Sequence, residues 1–237
     1  MKRSDGRESF EIRPLEIKTG VSTFAEGSAQ VTLGRTVLFI TATVEQKVPA
    51  FLKGTGQGWV TAEYAMLPRS TQERTSRDQA RSGRSMEIQR LIGRAMRACV
   101  DLTQLGERTI TLDCDVLQAD GGTRTAAITG SWVALVEALR WLKNTGLLSA
   151  IPLLEQVAAI SVGVVNEQIL LDLTFEEDSV AQVDLNLAMT EKGRLVEIQG
   201  TGEGRPFSKE ELEQMLNIGW KGIQEIFKVQ KRALGLR

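Results

Sequence analysis

Two adjacent glycines stand between an alternating apolar run and a long helical pattern, and this junction constrains the fold more than any other stretch. Apolar residues occupy every second position from 110 to 116, which predicts a strand with one buried face. Asp120-Gly121-Gly122-Thr123-Arg124 follows, and the helical pattern begins there. Glycines let a backbone approach a ligand, and the first amides of a helix lack intrahelical partners. The stretch therefore predicts a phosphate-binding turn, with an ordinary glycine turn as the alternative.

The chain contains no histidine among its 237 residues. Catalysis by Ser-His-Asp or Cys-His arrangements, and zinc held by histidine, are therefore excluded. Any chemistry has to come from carboxylates, arginines, hydroxyls, backbone amides or an oxygen-ligated metal. The length fits one large domain or two small ones, and we expect a single domain over residues 1–237. With 42% hydrophobic residues and a net charge of −1, the composition predicts a globular protein without a general attraction for nucleic acid. A site for a polyanion must therefore be local.

The first eight residues contain no apolar core, and no later window approaches the length of a membrane span. The sequence therefore predicts a cytoplasmic protein that has no membrane partner. Its two cysteines, Cys99 and Cys114, lie on apolar patterns and are predicted to be buried, reduced thiols.

Positive charge is concentrated between residues 69 and 97, which include eight arginines, no lysine and three acidic residues. Arginine suits bidentate contact with phosphate, so this segment predicts binding to RNA or phosphate, with a merely solvated charged surface as the alternative. Residues 68–84 lack a helical apolar pattern and predict an exposed loop. From Ser85 onward, apolar residues recur at helical spacing. Arg84 lies at the junction, where its side chain can meet an anion near the helix start.

The remaining patterns predict an α+β fold in which mixed and antiparallel sheets pack on central helices. Residues 28–33 and 36–44 predict a β-hairpin, and the glycine-rich residues 53–59 predict a connection at a sheet edge or a subunit contact. The helix after Gly122 has a wide apolar stripe with small residues beside it, so we expect it to lie at the centre. Ser208 and Glu211 form a capping-box pattern that predicts a last helix.

Residues 158–199 predict a meander of four antiparallel strands joined by short turns, one of them at 176–179. On the third strand Val183 and Leu185 are expected to face the core, while Asp184 faces away. Asp178 lies six residues earlier, in the turn at the strand entrance. The two carboxylates could line one groove, although acids on strands commonly just face solvent.

Several long motifs, in the same order along the chain, resemble the bacterial ribonuclease PH family. The resemblance extends from about Arg3 to the last helix. The segments that carry it are Phe51-Leu52-Lys53-Gly54-Thr55-Gly56-Gln57-Gly58-Trp59, residues 62–70, Gly83-Arg84, residues 87–92, residues 113–125 and Glu177-Asp178-Ser179.

The resemblance implies a ribonuclease PH-like fold and a phosphate-dependent 3′ to 5′ exoribonuclease. Such an enzyme trims tRNA precursors and other RNA 3′ ends, and it releases nucleoside diphosphates with inorganic phosphate as co-substrate. The implied phosphate site consists of Arg84, Gly122, Thr123 and Arg124. The implied Mg²⁺ ligands are Asp178 and Asp184, which form the catalytic set with Arg84 and Arg124. The arginines implied to bind tRNA are Arg69, Arg74 and Arg77. A homohexamer, built as a trimer of dimers, is also implied.

Two alternatives remain open at this stage. A non-catalytic RNA-binding ring subunit would lack the phosphate arginines or the acidic pair, whereas Arg84, Arg124, Asp178 and Asp184 are all present. An exosome-type core subunit would be active only beside a partner chain, and the sequence does not distinguish that case.

Overall fold

The computed structural model describes residues 3–77 and 82–236, which form two β-sheets and five α-helices. The strands are β1 (Leu15–Thr19), β2 (Gly27–Leu33), β3 (Thr36–Glu45), β4 (Trp59–Met66), β5 (Thr109–Gln118), β6 (Val157–Val165), β7 (Gln168–Leu171), β8 (Val183–Thr190) and β9 (Leu195–Thr201). The helices are α1 (Gly83–Ala98), α2 (Leu102–Leu105), α3 (Thr123–Asn144), α4 (Phe175–Asp178) and α5 (Lys209–Ala233).

The first sheet has the strand order β1-β2-β3-β5-β4. Strands β2 and β3 form the predicted hairpin, β3 pairs with β5 in antiparallel orientation, and β4 pairs with β5 in parallel orientation. Alternate residues of β5 are buried, as its sequence pattern predicts. Because β5 is an inner strand of this sheet, the glycine turn at its end is held by a rigid support.

Helix α3 lies at the centre of the molecule, as its apolar stripe predicts, and 16 of its residues are buried. It packs on β2 and β3 of the first sheet and on β6 of the second. Gly130 is needed for this packing, because a Cβ there would lie 2.4 Å from side-chain carbons of Ile40 and Val31. The long buried helix therefore fixes the position of its own first turn, where Thr123 and Arg124 lie.

The second sheet is covered on both faces. All nine residues of β6 are buried, since α3 packs on one face of the strand and α5 on the other. Helix α5 begins with the predicted capping box, in which Ser208 and Glu211 each accept a hydrogen bond from the other's backbone N–H. Val183 and Leu185 are buried, while Asp184 is half-buried on the opposite side of β8.

The predicted meander is wrong in its strand order. The observed order is β7-β6-β8-β9, so β8 pairs with β6 and not with β7. Strand β7 ends at Leu171, Asp172 takes up a left-handed φ of 56°, and the predicted turn at 176–179 is largely the one-turn helix α4. This excursion carries the chain across one face of β6, because the N–H of Leu173 donates to the Oγ of Ser161 at 3.0 Å. It leaves Asp178 at the end of a helix, not at the entrance of a strand.

Helix α1 begins two residues before the predicted start. Ser82 caps it by accepting a hydrogen bond from the N–H of Ser85 at 3.2 Å, so Arg84 lies within the first helical turn. The predicted apolar face is buried, from Ile88 to Cys99. Arg81, one of the eight clustered arginines, lies outside the described residues. In the described part of the chain, no helix is both long enough and apolar enough to cross a lipid bilayer.

Candidate active site

The glycine turn leaves a row of backbone amides free. Gly121 and Gly122 have φ values of 75° and 67°, and α3 begins at the next residue. A Cβ at Gly121 would lie 2.5 Å from the carbonyl oxygen of Leu173, so the turn fits closely against the chain that leads into α4. Within the described residues, the N–H groups of residues 121–124 have no acceptor. Free amides in such a turn at a helix start are an anion-binding arrangement.

Arg124, the second residue of α3, is held in place by side chains from two other elements. Its Nη1 donates to the Oε1 of Gln199 on β9 and lies 4.0 Å from a carboxylate oxygen of Glu87 on α1. Gln199 in turn donates to Glu87, so the three side chains form one polar cluster. The guanidinium is largely buried, with 17% of the side chain exposed. It is therefore oriented before any ligand arrives.

Arg84 supplies charge near the turn, and Thr123, at the start of α3, is contacted from β4. Arg84 is exposed on the first turn of α1 and forms no ion pair with the described acids. The hydroxyl of Tyr64 donates to the Oγ1 of Thr123 at 2.9 Å. Burial raises the pKa of Tyr64, and the positive charge of Arg84 acts against that rise. Arg84 therefore contributes positive charge on the side of the turn where β4 lies.

The two predicted acids influence each other. Asp178 ends α4 and Asp184 lies on β8. Burial raises the pKa of Asp178, while Arg84 and Arg124 counteract the rise. Burial and the negative charge of Asp178 raise the pKa of Asp184 to about 6, and the Nδ2 of Asn186 donates to its Oδ2 at 3.0 Å.

The structure therefore places the two predicted arginines and the two predicted acids around one turn, and Glu203 adds negative charge near both acids. Arg84 and Arg124 both act on the carboxylate of Asp178, and Arg124 also acts on Asp184. The residues predicted for phosphate and metal that are gathered here are Arg84, Gly122, Thr123, Arg124, Asp178 and Asp184. An anion at the free amides would meet both arginines, with the acids beside it.

The predicted RNA-binding arginines lie on a separate, exposed segment. Arg69, Arg74 and Arg77 are exposed and pair with no acid among the described residues. The base of this segment is fixed near the glycine turn, because the N–H of Ala119 donates to the carbonyl of Ser70 at 2.8 Å. A polyanion reaching the turn could therefore contact these arginines along its length.

Sequence reasoning missed a set of buried charged residues behind the turn. Arg13 and Asp172 form a bidentate ion pair, and Arg3 pairs with Glu177 just before Asp178. Arginines near an N-terminus normally predict exposure, so composition gave no signal for them. A signal did exist for α4, because Thr174 and Glu177 have the spacing of a capping box and form one.

Comparison with known proteins identifies the family of this chain. Residues 11–140 match the model of domain 1 of the 3′ exoribonuclease family, and residues 155–222 match the model of domain 2. The chain belongs to the 3′ exoribonuclease family. Among its relatives, a curated protein of Moorella thermoacetica named ribonuclease PH is 57% identical, and the match covers 99% of this chain and 95% of that protein.

Solved structures share the fold at much lower identity. The crystal structure of rice Rrp46 has a TM-score of 0.79 at 20% identity and covers 98% of this chain and 100% of its own. The exosome of Archaeoglobus fulgidus with RNA bound to the active site has a TM-score of 0.80 at 22% identity, covering 96% and 92%. These likenesses establish the ribonuclease PH-like α+β fold.

Proposed function

We propose that this protein is a phosphate-dependent 3′ to 5′ exoribonuclease that trims the 3′ ends of tRNA precursors. The observation that carries the proposal is the row of free amides at residues 121–124, flanked by Arg84 and Arg124 and placed beside Asp178 and Asp184. Family membership and the identity to a protein named ribonuclease PH support it.

The chemistry needs positioning more than proton abstraction. Inorganic phosphate is already anionic near neutral pH, so it acts as the nucleophile once charge and orientation are provided. A phosphate oxygen bonds to the last phosphorus of the RNA, and the bond from that phosphorus to the 3′ oxygen breaks. Arg84, Arg124 and the free amides hold the phosphate in line. A nucleoside diphosphate leaves, and the shortened RNA keeps a 3′ hydroxyl, whose proton comes from the acidic pair or from water. The reverse addition is expected from the same site.

The acidic pair fits a Mg²⁺ ion. Mg²⁺ in phosphoryl-transfer sites is commonly held by one or two carboxylates together with substrate phosphate oxygens. Burial, and after it the negative charge of Asp178, raise the pKa of Asp184 to about 6, and a bound cation would offset both effects. In the described chain no cluster of three or more Cys, Asp or Glu side chains suits a metal, so substrate oxygens would complete the shell. When bound, Mg²⁺ stabilises charge on the departing oxygen.

The proposed RNA contacts are Arg69, Arg74 and Arg77, which are exposed and unpaired with the described acids. The proposed assembly is a homohexamer. Large exposed apolar side chains support self-association, among them Phe24 at 97% exposure and Phe51 at 66%. A monomer that is active alone, or a chain that is inactive until a second protein is added, would contradict this assembly. Light scattering coupled to size-exclusion chromatography, with activity measured on each fraction, separates these cases.

The test of the function is the fate of labelled phosphate. The protein is incubated with Mg²⁺, ³²P-phosphate and a tRNA that carries a short 3′ tail. We expect the label in released nucleoside diphosphates, and no release without phosphate. Unlabelled nucleoside monophosphates would instead identify a hydrolase and overturn the proposal.

The matched pair of variants is Arg124→Ala and Arg140→Ala, at opposite ends of α3. Arg140 pairs with Glu137 and lies far along the helix from the turn. Loss of a positioned charged donor typically lowers turnover about 100-fold or more, so Arg124→Ala should show such a loss while tRNA binding is largely kept. Arg140→Ala should behave like the unmodified protein. Equal losses in both variants would remove Arg124 from the proposed phosphate site.

A further inference from the structure

Three arginines near the N-terminus are buried behind the candidate active site. Arg3, Arg7 and Arg13 are each less than 10% exposed. They meet the carboxylates of Asp172 and Glu177, which lie far away in the sequence. Burying so much charge is costly unless every group is paired, so these contacts are specific in geometry.

Arg13 contacts both sides of the gap between the glycine turn and the chain that leads to α4. Its Nε and Nη2 donate to the two carboxylate oxygens of Asp172 at 2.9 and 2.6 Å. Its Nη1 donates to the carbonyl of Asp120, and its Nη2 lies 3.4 Å from the carbonyl oxygen of Gly121. The backbone N–H of Arg13 also donates to Asp172, at 2.7 Å. One planar side chain therefore joins both segments.

These contacts determine which way the free amides point. In a planar trans peptide the carbonyl and the following N–H point in opposite directions. Arg13 holds the carbonyls of residues 120 and 121 from behind, and Thr36 also donates to the carbonyl of Gly121, at 2.7 Å. The N–H groups of Gly121 and Gly122 are therefore directed away from Arg13. A Cβ at Gly122 would lie 2.9 Å from its Nη2, so the guanidinium lies directly against the turn.

The same network reaches α4, the acidic helix that ends at Asp178. Arg3 makes a bidentate pair with Glu177 at 2.7 and 2.6 Å and donates to the carbonyls of Leu171 and Asp172 at 2.7 and 2.8 Å. Glu177 immediately precedes Asp178. Asp172 is thus fixed on one side to the phosphate turn and on the other to the segment that carries the acid.

We propose that Arg13, acting with Asp172, is a positioning residue that aims the phosphate-binding amides and sets them against the acidic helix. This inference rests on the proposed phosphorolytic function. Arg13 touches neither phosphate nor RNA and acts through the turn.

The first test compares Arg13→Lys with Arg35→Lys. Lysine keeps the positive charge but cannot bond to Asp172 and to both carbonyls at once. Arg35 is a matched control, because it pairs with Asp120 of the same turn at 3.0 Å from the solvent side and does not contact Asp172. We expect Arg13→Lys to raise KM for phosphate at least tenfold, with the Kd for tRNA within twofold of the unmodified protein. Arg35→Lys should change KM for phosphate less than twofold.

The second variant is Asp172→Asn, which tests the link from its other end. Asparagine tolerates the left-handed conformation of Asp172, whose φ is 56°, so the backbone need not change. The same rise in KM for phosphate is expected, and the double variant should show less than the product of the two single effects, since both changes break one link.

The outcomes separate a positioning role from a purely structural one. If Arg13 only stabilises the fold, its variants lower the melting temperature and the active fraction, so kcat falls while KM for phosphate stays unchanged, and the proposal is overturned. If Arg13→Lys does not fold, Asp172→Asn distinguishes the two roles in the same way: a higher KM for phosphate supports positioning, and a lower kcat with unchanged KM contradicts it. An unmodified protein without phosphate-dependent activity would refute the proposed function instead.

Discussion

The Nη1 of Arg124 donates a hydrogen bond to the Oε1 of Gln199, and the Nε2 of Gln199 donates to the Oε1 of Glu87. The phosphate arginine is therefore held by a neutral amide, with the nearest carboxylate oxygen 4.0 Å away. A neutral partner orients the guanidinium without neutralising its charge. A phosphate anion then competes with an amide and not with a carboxylate.

Replacing that amide with a carboxylate should weaken phosphate binding. In Gln199→Glu the hydrogen-bond partner of Arg124 becomes a carboxylate. A hydrogen bond to a charged partner is stronger than one to a neutral partner by about 1 kcal/mol or more. KM for phosphate should therefore rise roughly tenfold. Gln199→Met, which removes the contact without adding charge, is the control and should change KM much less. Equal values for the two variants in a steady-state phosphate titration would contradict this account.

The exposed arginine segment should contribute to RNA binding and not to phosphate binding. In Arg69→Ala, Arg74→Ala and Arg77→Ala we expect weaker tRNA binding with KM for phosphate unchanged. Each lost phosphate contact should lower the slope of log K against log salt by about 0.7 to 1. Lys228→Ala, on α5 and paired with Glu225, is the charge-matched control. A slope that stays constant in all three arginine variants would exclude this segment from the RNA contact.

Asp184 should destabilise the metal-free fold at neutral pH. Its pKa in the folded protein is about 6, above the ordinary value of 3.8, so the folded state binds the proton more tightly than the unfolded state. Stability therefore falls as pH rises from about 4 to about 6. Asp184→Asn should raise the free energy of unfolding by roughly 1 to 2 kcal/mol at pH 7, and the gain should shrink towards pH 4.

Urea unfolding with a chelator present measures this effect at both pH values. Asp101→Asn is a control of opposite sign, because hydrogen bonds from Thr103 and Gln104 lower the pKa of Asp101. That variant should lose stability at pH 7. A gain for Asp184→Asn that is the same at pH 4 and pH 7 would show that charge is not the cause.

Replacing Gly121 with alanine should cost more stability than its left-handed backbone angle alone would explain, because the added carbon would also clash with neighbouring backbone atoms. Gly121→Ala and Gly146→Ala share nearly the same φ, 75° and 76°, but only Gly121 faces backbone atoms within 3 Å of the added carbon. A left-handed alanine costs about 1 to 2 kcal/mol, which both variants should lose. Gly121→Ala should lose at least about 1 kcal/mol more through displacement of the turn from Leu173. Thermal unfolding gives both values, and equal losses would argue against the contact.

Local patterns predicted the parts of the fold that local physics determines. The β2–β3 hairpin, the buried face of α1 and the central α3 follow from residue spacing and side-chain size. The pairing of β8 with β6 does not follow from spacing, because periodicity shows which face of a strand is buried but not which strand pairs with its edge. The excursion through Asp172 and α4 decides that pairing. One domain over residues 1–237 stays a prediction.

The candidate site was predictable where its residues stand in motifs. Arg84, Arg124, Asp178 and Asp184 were singled out by local patterns, the resemblance implied their roles, and those roles remain proposals. Gln199 and Arg13 were not predicted, because each acts through a contact between distant segments that no local pattern encodes. Arg13 in particular is buried because the carboxylate of Asp172 and the carbonyls of residues 120 and 121 accept its hydrogen bonds.

The separation of these partners along the chain has a consequence for protein synthesis. Arg3 and Glu177 are 174 positions apart, and Arg13 and Asp172 are 159 apart. Translation delivers the N-terminal arginines first, at about 5 to 20 residues per second, so they wait roughly 8 to 35 seconds for their acids. A nascent chain that ends before Asp172 has neither the ion pair between Arg13 and Asp172 behind the turn nor the acidic helix. Most of this chain therefore emerges from the ribosome before a complete site exists.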